Sequence, residues 1–66
     1  MNEPLFPKAK VHMSEFMRVD AIFHMMLETV AQLRKAGATP EQIRQYRVEA
    51  INGNPWIETV RWVSVG

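Results

Sequence analysis

The chain has 66 residues, no cysteine and a formal net charge of +1, so it is at most one domain, without disulfides or a thiolate metal site. Its 47% hydrophobic and 23% charged residues are typical of a globular protein, and the weak net charge by itself does not indicate a nucleic-acid-binding protein. Without an apolar run of about 18 residues or the features of a signal peptide, the chain is expected to be cytoplasmic, with no membrane segment.

The N-terminal segment predicts an arm followed by a strand. Residues 1–7 contain Pro4 and Pro7, which disfavour helix, and we expect them to be extended. Polar and apolar residues then alternate from Lys8 to Met13, and a period of two predicts a short strand.

The first helix is predicted over about 14–36. Ser14 is a suitable N-cap, and Gly37 suits the left-handed position that follows a helix. Between them, apolar residues recur at intervals of three and four and form one stripe. The stripe consists of Phe16, Val19, Phe23, Met26, Val30 and Leu33, and it is widened by Met17, Ile22, Met25 and Leu27.

The pattern in the second half of the chain predicts another helix followed by a tail. Thr39 and Gln42 have the spacing of a capping box, with Pro40 between them, and they predict a helix over 40–51. Its inward residues should be Ile43, Tyr46, Ala50 and Ile51. The tail is ambiguous: a short third helix near 55–61 followed by a strand is one interpretation, and we expect the two end strands to pair.

These elements predict a single α+β, helix-dominated domain over 1–66, built on an antiparallel helical hairpin with short N- and C-terminal strands. The first helix would be about 33 Å long and the second about 18 Å. The start of the first helix would then lie uncovered. Because so small a core rarely supplies more than about 3–5 kcal/mol, we expect this surface to be covered in a homodimer. The predicted self-association residues are Phe16, Val19, Phe23 and Met26.

The tryptophans and methionines predict a protein partner, because both residue types are enriched at interfaces. The predicted partner-binding residues are Met17, Trp56, Arg61 and Trp62. The leading hypothesis is therefore a small protein-binding module, a modulator that acts on a host protein by steric occupation. An enzyme is not expected, because so small a core can hardly form a pocket that shifts pKa values.

The alternative is a dimeric DNA-binding protein. Basic residues on a strand before two helices are similar to the ribbon–helix–helix repressors, and a helix-turn-helix is a second variant. The predicted contacts are Lys8, Lys10, His12, Arg44 and Arg47, with Gln42 and Gln45 as further base-reading side chains in the helix-turn-helix variant. Against this, the first helix is long for a ribbon–helix–helix protein, and a plain helical hairpin explains the caps equally well.

A polar stripe of Asp20, His24 and Glu28 has the i, i+4 spacing of one helix face. Two such stripes facing each other across a dimer could supply metal ligands. The same spacing arises on any solvated helix face, so we expect no metal, no cofactor and no catalytic residue.

Two segments carry a resemblance to a known family. Residues 33–37 read Leu-Arg-Lys-Ala-Gly, and residues 59–65 read Thr-Val-Arg-Trp-Val-Ser-Val. Over residues 20–65 the chain resembles a family of small phage and bacterial proteins of unknown function, whose first helix ends Leu-Arg-Arg-Ala-Gly and whose chain closes Arg-Trp-Val-x-Val. It departs from that family at Asp20-Ala21 and in a shorter segment between Gly53 and Trp62. The resemblance implies the strand–helix–helix–tail order and a phage or prophage origin, and it implies no activity.

Overall fold

The computed structural model describes residues 3–12 and 21–66. The elements, in chain order, are β1 (Phe6–Val11), α1 (Ile22–Lys35), α2 (Pro40–Asn52), α3 (Pro55–Trp62) and β2 (Val63–Val65). The predicted α+β, helix-dominated fold is confirmed. The third helix, which the sequence left open, is formed.

Strand β1 begins earlier than its alternation predicts, because Phe6 is drawn into the sheet by stacking on Trp62 at 6.1 Å between ring centroids. The end of the predicted arm, Phe6 and Pro7, is therefore strand. Ala9 and Val11 are buried while Lys8 and Lys10 are exposed, so the two faces of β1 alternate as a half-buried strand requires. The predicted last residue, Met13, lies outside the described residues.

The two end strands pair, as predicted, and they run parallel. The register joins Lys10 to Ser64 and Val11 to Val65, with an irregularity between Phe6 and Lys10. Parallel strands need a long crossover connection, and here the helices lie between the two strands in the chain. The three-residue β2 thereby closes the fold onto β1.

Helix α1 ends in a Schellman-type turn. The Ala38 N–H donates to the Leu33 carbonyl at 2.9 Å, and the Gly37 N–H donates to the Arg34 carbonyl at 3.1 Å. Gly37 has a φ of +92°, the conformation expected at this position. The start of the helix predicted at Ser14 lies outside the described residues, and the described α1 and α2, with 14 and 13 residues, are similar in length.

Replacing Gly37 by alanine is expected to destabilise the protein by about 1 kcal/mol, because a Cβ is strained at positive φ. The added Cβ would meet no atom within 4 Å, so no steric clash adds to the backbone strain. Urea unfolding of the variant measures the change. Lys35→Ala, in the last turn of α1, is the control. A Gly37→Ala variant as stable as the native protein would contradict the argument.

Helices α2 and α3 both begin at side-chain caps followed by proline. The Thr39 hydroxyl accepts from the Gln42 N–H at 3.1 Å, and the Gln42 side chain accepts from the Thr39 N–H at 2.9 Å, which confirms the predicted capping box. The Asn54 side chain accepts from the N–H groups of Trp56 and Ile57 at 3.0 and 3.3 Å. The Thr39 cap fixes the start of α2, and the Asn54 cap begins α3 as a separate helix directly after α2.

The core lies between the inner face of the sheet and the three helices. The buried apolar residues are Ala9, Val11, Met25, Met26, Val30, Leu33, Ile43, Tyr46, Ala50, Trp62 and Val63. Ile51, predicted to point inward on α2, is 67% exposed, so that prediction is wrong. Ile51 lies one position beyond buried Ala50, and α2 packs more extensively on α3 than on α1. The inward face of α2 is therefore narrower than the sequence pattern suggested.

Candidate functional site

An apolar groove lies between α1 and α2. It is lined by Phe23, Met26, Leu27, Val30, Arg47 and Ile51, and we call it the α1–α2 groove. Its volume is about 430 Å³ and it is open to solvent on one side. Phe23, Leu27 and Ile51 are 70%, 61% and 67% exposed, whereas Met26 and Val30 are buried. Three large apolar side chains thus surround a buried apolar floor.

The groove arises because the apolar face of α1 is wider than α2 can cover. Phe23 and Leu27 are one turn apart and lie on the same side of the helix. Met25, which the sequence placed at the margin of the stripe, is instead fully buried. The helix is rotated so that Phe23, a member of the predicted stripe, lies at its exposed edge. Contiguous exposed apolar surface of this kind marks interaction sites more often than single exposed residues do.

The predicted self-association residues are only partly within the described structure. Phe23 and Met26 lie together in the α1–α2 groove, one at its margin and one in its floor. Phe16 and Val19 lie outside the described residues. Leu27 and Ile51 were not predicted as site residues. Leu27 could have been found from its position one turn after Phe23, whereas the exposure of Ile51 depends on how α2 is rotated.

The prediction that Trp62 forms an exposed partner-binding surface is wrong, because Trp62 is 3% exposed. Its ring stacks on Phe6 and meets Tyr46 edge-on at 5.9 Å, and its Nε1–H donates to Glu49 at 3.0 Å. The hydrogen bonds from Gln45 and Trp62 lower the pKa of Glu49 below its ordinary value. Trp62 ends α3 and lies between β1 and α2, where a large ring fills the core.

The other predicted partner-binding residues differ in how much of each side chain is exposed. Trp56 is half-buried and packs against the core, and Arg61 is exposed and pairs with Glu58 at 3.4 Å. Met17 lies outside the described residues. With Trp62 buried, Trp56 and Arg61 do not form the tryptophan-framed surface that the sequence suggested.

The residues predicted for nucleic-acid binding fall into two groups. Lys8 and Lys10 are exposed on β1, and exposed His12 follows the strand. Arg44 and Arg47 of α2 line a separate open depression of about 480 Å³. Its remaining lining residues are Arg34, Ala38, Pro40 and Ile43. Arg34 was not predicted as a site residue, because it is distant from Arg44 in sequence and reaches the depression from the end of α1.

The two glutamines of the helix-turn-helix interpretation already have partners. Gln42 completes the capping box with Thr39. The Gln45 Nε2 group donates to the Glu49 carboxylate at 2.9 Å. Both side chains would have to give up these bonds to contact a base.

The described part of the predicted polar stripe shows no metal site. Asp20 lies outside the described residues, His24 is exposed, and the Glu28 carboxylate accepts a hydrogen bond from Gln32 at 2.8 Å. Across residues 3–12 and 21–66, histidine and acidic side chains form no group of three or more that could hold a metal ion. Within the same residues, every helix is too short or too polar to cross a membrane.

Comparisons of the chain with models of protein families, with curated proteins and with solved structures gave no match. The resemblance to small phage and bacterial proteins therefore stays a prediction. The residues that line the α1–α2 groove and the depression around Arg44 determine what each can bind.

Proposed function

We propose that this protein is a small protein-binding module that holds an amphipathic helix of another protein in the α1–α2 groove. The observation that carries the proposal is the exposure of Phe23, Leu27 and Ile51 around the buried floor of the groove. Fully burying such a side chain contributes about 1.5–3 kcal/mol. Three of them supply enough to offset part of the cost of association.

The chemistry of the groove indicates the kind of partner. A groove between two helices fits an apolar helix face with anchors at i, i+3, i+4 and i+7. Arg47 is the one charged residue among the described lining residues, so a carboxylate on the partner helix is expected opposite it. The partner segment is therefore an acidic amphipathic helix.

A second copy of the chain fits the groove less well. In a two-fold dimer through this face, each copy would bring its own Arg47 towards the same interface. Like charges at an interface are unfavourable unless a carboxylate lies between them. The homodimer predicted through Phe16, Val19, Phe23 and Met26 is thus the competing outcome, and the experiment below distinguishes it.

The groove and the resemblance suggest the biological setting. A protein that holds a helix of its target in this groove blocks the other partners of that helix. The resemblance to phage and bacterial proteins supports a phage-encoded modulator of a host protein in the cytoplasm.

Replacing Phe23 by aspartate is expected to weaken binding of the partner and to leave the fold intact, because Phe23 is 70% exposed in the free protein. Immobilised native protein and variant are exposed to nuclease-treated host lysate. Retained proteins are then identified, and each candidate helix is synthesised and titrated. An acidic amphipathic peptide should bind the native protein and lose at least about tenfold in affinity for Phe23→Asp, a change of about 1.4 kcal/mol.

Ile57→Asp is the matched control, because Ile57 is 58% exposed on α3 and does not line the groove. It should bind as the native protein does, and circular dichroism should show all three proteins folded. Equal binding by Phe23→Asp would refute the assignment of the groove. A native protein that light scattering shows to be a dimer, and that Phe23→Asp converts to a folded monomer, would replace the foreign helix with a second copy.

A further inference from the structure

Three arginines surround the open depression beside α2. Arg44 and Arg47 are one turn apart on α2, and Arg34 comes from the last turn of α1. We call Arg34, Arg44 and Arg47 the arginine surface. The turn at Gly37 reverses the chain between α1 and α2. It places Arg34, at the end of α1, in the same depression as Arg44 and Arg47 of α2.

The arginine surface has no charge partner within the described structure. All three arginines are exposed, and the salt bridge present among residues 3–12 and 21–66 joins a different arginine, Arg61, to Glu58. The other described lining residues, Ala38, Pro40 and Ile43, carry no charge. Three like charges line this depression with no carboxylate among its described lining residues, and an anionic ligand relieves their mutual repulsion.

We propose that the arginine surface binds the phosphate backbone of a nucleic acid, without reading its bases. Guanidinium groups match phosphate oxygens with paired hydrogen bonds. Because the depression is open, a single small anion would remain largely solvated. A chain of phosphates contacts several arginines at once and releases the counterions condensed on it.

The glutamines of α2 are not free to read bases. Gln42 and Gln45 are the further base-reading side chains of the helix-turn-helix interpretation, and both are engaged in hydrogen bonds within the protein. Arginines that contact phosphates position a nucleic acid without specifying its sequence. The strand surface of Lys8 and Lys10, which the ribbon–helix–helix interpretation requires, is not part of this site. One edge of β1 is moreover occupied by β2.

The arginine surface shares only Arg47 with the α1–α2 groove, so nucleic-acid binding there goes beyond the proposed protein-binding function. Arg34 and Arg44 do not line the α1–α2 groove, whereas Arg47 lines both sites. A test that changes only Arg34 and Arg44 therefore leaves the groove intact. Conversely, Phe23→Ser, which adds no charge to the groove that Arg47 lines, should leave nucleic-acid affinity unchanged.

The experiment measures the fluorescence anisotropy of a labelled 20-nucleotide single strand and of a 20-base-pair duplex of arbitrary sequence, over a range of salt concentrations. The native protein should bind at least one of them, with a slope of log K against log salt of roughly −2 to −3 for three phosphate contacts. The Arg34→Gln/Arg44→Gln variant should bind at least about tenfold more weakly, with a slope shallower by roughly 1.5–2.

Lys8→Gln/Lys10→Gln is the matched control, since it removes the same two charges from an exposed surface elsewhere. It should retain most of the affinity. An equal loss in this control would overturn the arginine surface and favour bulk charge or the strand. Failure of the native protein to bind either nucleic acid at low salt would overturn the proposal. Poly-glutamate bound as tightly as the nucleic acid would replace it with an acidic polypeptide.

Discussion

Replacing Trp62 by alanine is expected to leave most of the protein unfolded at room temperature. The substitution removes the ring that stacks on Phe6 and meets Tyr46 edge-on, and it leaves a cavity between β1, α2 and α3. Removing a buried tryptophan costs about 3–5 kcal/mol. A core of this size supplies about the same amount in total. Far-ultraviolet circular dichroism and a thermal melt measure the folded fraction.

Trp56→Ala is the matched comparison within the same helix. Trp56 is half-buried at the first turn of α3, so its loss should lower the melting temperature by less and leave a cooperative transition. Trp62→Phe keeps an aromatic ring but removes the hydrogen bond from Trp62 to Glu49, and its melting temperature should lie between those of Trp62→Ala and Trp56→Ala. A Trp62→Ala protein that melts cooperatively near the native temperature would show that the ring is not central to the core.

Raising the pH above about 10 is expected to unfold the protein through ionisation of Tyr46, its single tyrosine. Tyr46 is fully buried, and burial raises the pKa of its phenol above the ordinary value. The folded state therefore holds this proton more tightly than the unfolded chain. The contribution of the protonated Tyr46 phenol to the free energy of unfolding is complete at pH values below its pKa in the unfolded chain. It is lost as the pH rises through the pKa of Tyr46 in the folded protein.

The hydrogen-bond geometry strengthens this expectation. The Thr59 hydroxyl lies 2.7 Å from the Pro55 carbonyl oxygen, which can only accept, and 2.7 Å from the Tyr46 oxygen. Thr59 has one hydroxyl proton, so both bonds form together only when Tyr46 donates. Ionisation of Tyr46 removes that donated proton and places a negative charge in the core.

Urea unfolding between about pH 8 and pH 11 measures the effect, and Tyr46→Phe is the control because it keeps every lysine and arginine. The variant should be about 1 kcal/mol less stable at neutral pH, where it lacks one hydrogen bond, and its stability should fall less steeply above about pH 10. Tyrosinate absorbance reports Tyr46 alone and should rise together with unfolding. Equal alkaline slopes for the two proteins would exclude Tyr46 as the cause.

The two proposed sites share Arg47, so their two ligands are expected to compete. A helix with a carboxylate opposite Arg47 would compete with a phosphate for the same guanidinium group. If both proposals hold, each ligand weakens the other, and the coupling is the same in both directions. The separate variants at Phe23 and at Arg34 and Arg44 allow each site to be tested without the other.

The elements that depend on local interactions were predictable from the order of the amino acids. Thr39, Pro40 and Gln42 specify the start of α2 through hydrogen bonds within three residues, and Gly37 specifies the end of α1 through its positive φ. The cap at Asn54 and the alternation of Val63 and Val65 made a short third helix and a following strand one interpretation of the tail, and the structure forms both. Such signals require no knowledge of distant parts of the chain.

Which side of each element is buried depends on how the helices pack on the sheet and on one another. Trp62 is indistinguishable in sequence from an interface tryptophan, and it became core because the parallel closure of β2 on β1 places it between Phe6 and Tyr46. Arg34 lies on the arginine surface and Ile51 lines the α1–α2 groove because of the packing angle and the rotation of α1 and α2. These depend on the packing of all side chains together, because burial is a property of the assembled layers and not of one helix period.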